Sequence, residues 1–126
     1  MAKGKATCID SGLYKAFMDL MSVNTGYMKN MDRSLQMMFG QDTTKTLINC
    51  ASSFIKSFNA FSSEEKLKNI HSVKDDLLSY DLIIRVLVDN KAISIQQASN
   101  IGKIIANIQV QLAGFEKKIN TELETI

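Results

Sequence analysis

Between Val73 and Ile119 two long apolar-periodic segments flank a six-residue turn, Asp89-Asn90-Lys91-Ala92-Ile93-Ser94. In the second segment Ile101, Ile105, Ile108, Leu112, Phe115 and Ile119 follow at steps of four, three, four, three and four. That spacing lines one face of a helix. Asn90 and Lys91 suit a helix end, and Ser94 with Gln97 three places on suits a capping box, so one helix stops and an antiparallel partner starts within a few residues. A helical hairpin of this length commits the chain to an all-α fold.

The same spacing recurs upstream. Leu13, Phe17, Leu20, Asn24, Tyr27 and Met31 form a stripe broken only by Asn24, predicting a first helix over about 10–29. Leu47, Ala51, Phe54, Phe58 and Phe61 predict a second over 42–59, with Asp42 or Thr43 as its N-cap. Ser62 and Glu65 form a second capping-box pair, and Val73, Leu77, Tyr80, Ile84 and Leu87 carry a third helix over 63–89. The fourth runs over 95–122. The chain has no proline and only 6 glycines in 126 residues, so the usual breakers are missing. Similar helix lengths and short connections predict an antiparallel up-down-up-down four-helix bundle over 10–122, a single domain behind a flexible basic tail, 1–9. The connection from Asn30 to Gln41 holds Met31, Leu35, Met37, Met38 and Phe39, too much apolar surface for a solvated loop, and is expected to cover one end of the bundle.

Composition excludes several function classes. A formal charge of +2, from 15 basic and 13 acidic residues, permits nucleic-acid binding without requiring it. Cys8 and Cys50 show no disulfide framework, the charged N-terminus has no apolar run behind it, and no segment reaches the ~20 apolar residues of a membrane span. A soluble cytoplasmic protein with no membrane association is expected. His71 is the single histidine. No Glu-x-x-His, Cys-x-x-Cys or His-Glu-x-x-His spacing and no phosphate-cradling glycine loop occurs, so no catalytic residue, metal site or cofactor is predicted. Glu64-Glu65 and Asp75-Asp76 fall early in the third helix, where carboxylates complement the helix dipole.

Two features point to assembly. From Leu82 to Val88 the third helix reads Leu-Ile-Ile-Arg-Val-Leu-Val, with Arg85 its only polar residue. Such a run is buried from two directions, either deep within one subunit or by an oligomer contact through Leu82, Ile83, Val86 and Val88. In the fourth helix Ser99, Gly102, Ala106 and Ala113 make a small-residue flank, and Gly102 and Gly114 call for a packing reason because glycine costs about 1 kcal/mol there. Gly102 and Ala106 therefore join the candidate interface. The six methionines between Met18 and Met38 suit either core filling or an adaptable partner surface. Candidate nucleic-acid or partner-binding cations are Lys29 and Arg33 beside the first connection, Lys74 and Arg85 in the third helix, and Lys103, Lys117 and Lys118 in the fourth. Repeated around a ring, these would form a basic belt for phosphates.

The wording from Asp81 through Arg85, Asn90-Lys91-Ala92-Ile93-Ser94 and Gln97 to Gly114-Phe115 resembles the Avd-like four-helix-bundle proteins, the accessory variability determinants of diversity-generating retroelements. In that family an Arg-bearing apolar helix leads through a short turn into a closing helix. Asn30-Met31-Asp32-Arg33 through Phe39-Gly40-Gln41 is similar to the family's first connection, though it lacks the proline, and Phe115 stands where the family often has tryptophan. Arg33 and Arg85 match the family's arginines. The resemblance covers roughly 14–118. It implies a homopentameric barrel of bundles, without enzymatic activity, whose partners are a reverse transcriptase and its template RNA and which supports mutagenic retrohoming. A small helical adaptor that binds only protein is the alternative expectation.

Overall fold

A computed structural model describes residues 11–124. The predicted tail 1–9, the first-helix start at Asp10, and Cys8 lie outside the described residues. Four long helices form: α1 (Gly12–Lys29), α2 (Gln41–Asn59), α3 (Ser63–Asp89) and α4 (Ile95–Glu124). No strand occurs among the described residues. Each helix packs on the next in sequence, α4 returns to pack on α1, and α2 and α3 share the broadest contact. The core lies between them, with Phe17 and Leu20 from α1, Leu47 and Phe54 from α2, Val73 and Tyr80 from α3, and Ile101 and Ile108 from α4 all fully buried.

Caps set the helix starts. Ser11 Oγ accepts from the Tyr14 amide at 3.0 Å, and Ser62 Oγ accepts from the Glu65 amide at 3.1 Å. At α4 the capping box is complete: Gln97 N donates to Ser94 Oγ, and Ser94 N donates to Gln97 Oε1, both at 3.0 Å. The end of α3 is a Schellman motif, with Ala92 N donating to Leu87 O at 2.8 Å and Lys91 N to Val88 O at 2.9 Å. It holds Lys91 at φ 60°, a left-handed conformation that costs a non-glycine residue about 1 kcal/mol.

The segment after α1 differs from expectation. Rather than a connection reaching Gln41, only Asn30 to Asp32 turn; a helical turn Arg33–Leu35 and a π-helical turn Gln36–Gly40 run straight into α2. Asp32, not Asp42 or Thr43, is the cap residue, and it makes no side-chain cap bond. The reason lies in a spacing of four: Leu35, Phe39, Thr43 and Leu47 all turn toward the core. Each four-residue step advances about 40° on an α-helix, so three steps would swing the stripe about 120° away. The wider π turn takes up part of that drift. Met31 is buried, and Leu35 and Phe39 pack on the core as expected, whereas Met37 and Met38 face solvent.

Phe61 is a second correction. Placed in the α2 stripe by its three-residue step from Phe58, it is fully exposed, because Ala60 turns extended at φ −67°, ψ 147° and ends the helical phase. Within the chain neither Gly102 nor Gly114 has a close neighbour: a Cβ at either would meet no atom within 4 Å. The close approach occurs instead at Gly12, where a Cβ would come 2.7 Å from Gln111 Oε1.

Candidate functional site

Asn24, the residue that interrupts the α1 stripe, is buried and belongs to a polar chain through the core. Tyr80 Oη donates to Asn24 Oδ1 at 2.9 Å, Asn24 Nδ2 donates to Thr43 Oγ1 at 3.1 Å, and Thr43 Oγ1 donates to Gly40 O at 3.0 Å. Thr44 Oγ1 adds a second bond to Gly40 O at 2.9 Å. No buried side-chain polar atom among the described residues lacks a partner. Burial holds the Tyr80 phenol well above its ordinary range, with Asp81 adding to the effect, so it stays a donor. Three helices and the π turn are thereby tied at one point, and a satisfied buried network of this kind favours one register over its neighbours.

The π turn forms one wall of a groove of about 550 Å³ between α1 and α2. Ile48 supplies its exposed apolar side chain, with Met28 almost fully buried among the lining; Gly40 and Thr44 form its wall, and Lys29 and Lys45 supply its charge; no carboxylate lines it. Lys29 was among the predicted cations, and Lys45 was not. The two stand in different helices, so no local spacing connects them.

The remaining predicted cations divide. Arg33 is exposed at the start of the lead-in helical turn. Lys74 Nζ lies 2.6 Å from Glu116 Oε1 of α4. Arg85 Nε donates to Asp81 Oδ2 at 3.1 Å within α3. Both are exposed pairs that contribute about 0–1 kcal/mol and hold the cation without burying it. Lys103, Lys117 and Lys118 are exposed.

The predicted interface residues also divide. Ile83 and Val88 are half-buried against the core, with Ile84 and Leu87 fully inside, so the apolar run is largely accounted for within one chain. Leu82 and Val86 face outward, 54% and 44% exposed, and continue from Leu78 at 61%. Gly102, Ala106 and Ala113 are exposed on α4. Between α3 and α4 a cleft of about 320 Å³ is lined by Leu77, Leu78, Ile105 and Leu112 and bounded by the Lys74–Glu116 pair. Sequence reasoning gave no sign of Leu78 as part of this outward row.

Among the described residues reactive side chains are sparse. His71 is exposed on α3, and no group of three or more His, Cys, Asp or Glu side chains able to hold a metal ion occurs among the described residues. Cys50 is a buried free thiol that donates to Val73 O at 3.4 Å, and burial, with a lesser contribution from Asp76, pushes its pKa from 9.0 to about 12. The folded state therefore retains a proton that the unfolded thiol releases. The stability this contributes is intact below pH 9 and is lost as pH rises toward 12. In a Cys8→Ser variant at pH 8, Cys50 is expected to react with an aromatic disulfide reagent only as fast as the protein opens, and rapidly in denaturing urea. Immediate native-state labelling would contradict this burial.

No described helix is long and apolar enough to cross a membrane. The chain matches no protein-family profile, and no curated protein is significantly similar to it.

Proposed function

We propose that the protein is a non-enzymatic, cytoplasmic accessory protein of a diversity-generating retroelement, a homo-oligomer that binds reverse transcriptase and template RNA. The observation that carries the oligomer is the outward row Leu78, Leu82 and Val86 on α3, together with the open flank Gly102, Ala106 and Ala113 on α4. Large apolar side chains on one helix and small ones on its neighbour suit close packing against another copy. A pentameric barrel is the assembly that the family resemblance implies. An antiparallel up-down-up-down course within each subunit is supported by two bonds between α2 and α3: Cys50 Sγ to Val73 O, and Ser57 Oγ, further along α2, to Lys66 O, earlier in α3. The exposed Lys103, Lys117 and Lys118 supply the phosphate-binding charge. Lysine provides that charge without the bidentate fork of arginine, which suits contact with RNA backbone more than selection of sequence.

The expected result by light scattering at micromolar concentration is a defined oligomer larger than a dimer, reduced to monomer by Leu82→Arg with Ala106→Arg. Template RNA should be retained at low salt and released as salt rises. Charge reversal of Lys103, Lys117 and Lys118 together should weaken retention on the order of tenfold or more. A monomeric wild type would sink the assembly, and RNA retention indifferent to the triple reversal would sink the basic belt.

A further inference from the structure

The groove beside the π turn has the features of a protein-docking site, and they lie on α1 and α2 rather than on the α3 row. It extends along the second helical arm from Gln36 to Ile48, about 18 Å at 1.5 Å per residue. Three turns of a bound helix occupy that length. Among its lining residues Ile48 is half-exposed and Met28 is almost fully buried, while Met37 and Met38 stand exposed on the adjoining π turn, outside the lining. Flexible, polarisable methionine side chains adapt to the shape of a docked apolar stripe. Lys29 and Lys45 both border the groove, and neither has a carboxylate partner among the described residues.

The wall is a built feature. The hydrogen-bond chain from Tyr80 through Asn24 and Thr43 ends on Gly40 O, so the widened turn is anchored in the core. Single π turns inside α-helices mark functional positions frequently enough to make this one informative. We infer that the groove binds an acidic amphipathic helix of a partner protein, with apolar residues at i, i+4 and i+7 against Ile48 and the lysine stems and carboxylates on Lys29 and Lys45. Single-stranded nucleic acid fits it less well: the lining contains no aromatic ring to stack a base and no arginine. The inference does not depend on the retroelement reading, because a helix docked here leaves the α4 lysines free.

The test is a display selection against the whole protein, using a library of 16-residue helical peptides without charge bias, followed by fluorescence anisotropy on the enriched sequences. Enrichment of Glu and Asp around an i, i+4, i+7 apolar stripe is expected. Lys29→Glu with Lys45→Glu should weaken those peptides at least tenfold and favour their Lys-substituted counterparts. Gln41→Trp, an exposed groove position with no side-chain hydrogen bond, should block binding while leaving the melting curve and RNA retention through the α4 lysines unchanged. The inference is overturned if no acidic helix is enriched or if the enriched helices bind both variants as tightly as wild type. It is equally overturned if single-stranded RNA or anionic vesicles, and not the helices, bind in a Lys29- and Lys45-dependent way.

Discussion

Phe54→Ala should lower the unfolding free energy by about 4 kcal/mol, the largest loss expected from any single truncation in this core. Phe54 is 1% exposed and meets three other rings: Phe17 at 5.6 Å, Phe58 at 6.1 Å and Phe115 at 5.8 Å. Phe58 and Phe115 also stack on each other at 6.3 Å with 12° between planes. The cluster thus joins α1, α2 and α4, and its centre has no route to collapse without moving two helices. Removing the ring costs its transfer free energy, the cavity left behind and roughly 0.5–1.5 kcal/mol for each favourable ring pair. Urea unfolding followed by circular dichroism would show the midpoint fall with an unchanged slope. Phe54→Leu fills most of the space and should cost less than half as much. A loss below about 1 kcal/mol for the alanine variant would mean that the cluster is not packed as described.

Asn24→Ala is expected to cost about 2–3 kcal/mol, for a different reason. Little apolar volume is lost, but the Tyr80 hydroxyl loses its acceptor and Thr43 Oγ1 loses its donor in a region without solvent. Orphaning a buried polar group costs its desolvation, which exceeds the net worth of the bond. Tyr80→Phe alone should cost about 1–2 kcal/mol, since it leaves Asn24 Oδ1 unpaired. The double variant should then cost clearly less than the sum, because Asn24→Ala removes the very acceptor that Tyr80→Phe strands. Simple additivity in that cycle would show that the two groups do not interact. The Asn24 variant should also loosen Gly40, and hydrogen exchange across Gln36–Gly40 is the measurement that reports it.

Much of this architecture was legible in the chain. The starts of α3 at Ser63 and α4 at Ile95 follow from Ser62 and Ser94, whose caps act over three residues, and the end of α3 at Asp89 follows from Asn90 and Lys91. The core stripes of α1, α3 and α4 follow from periodicity, which reports burial on one helix face. Where a prediction failed, a local rule had been extended past its reach. Phe61 kept the helical count after the backbone had left the helix. The segment from Arg33 to Gly40 falls inside the expected connection from Asn30 to Gln41, yet Leu35 and Phe39 lead into Thr43 and Leu47 at steps of four, a spacing that a straight α-helix cannot keep on one side. Of the candidate site, the cations and the outward Leu82 and Val86 were visible as residue types. Their division was not, because pairing of Lys74 with Glu116 spans 42 positions.

By itself the sequence determined the all-helical class, the extents of α1, α3 and α4 and the faces those three bury, because these rest on interactions among residues three or four apart. Only the tertiary structure decided what Asn24 does, since its partners lie 19 and 56 positions away. It also decided that the turn after α1 widens into a π segment and that Lys29 and Lys45 border a common groove. Hydrogen bonds and charge pairing across helices depend on how the helices are set against one another. That setting is chosen by the packing of the whole core rather than by any one segment's pattern.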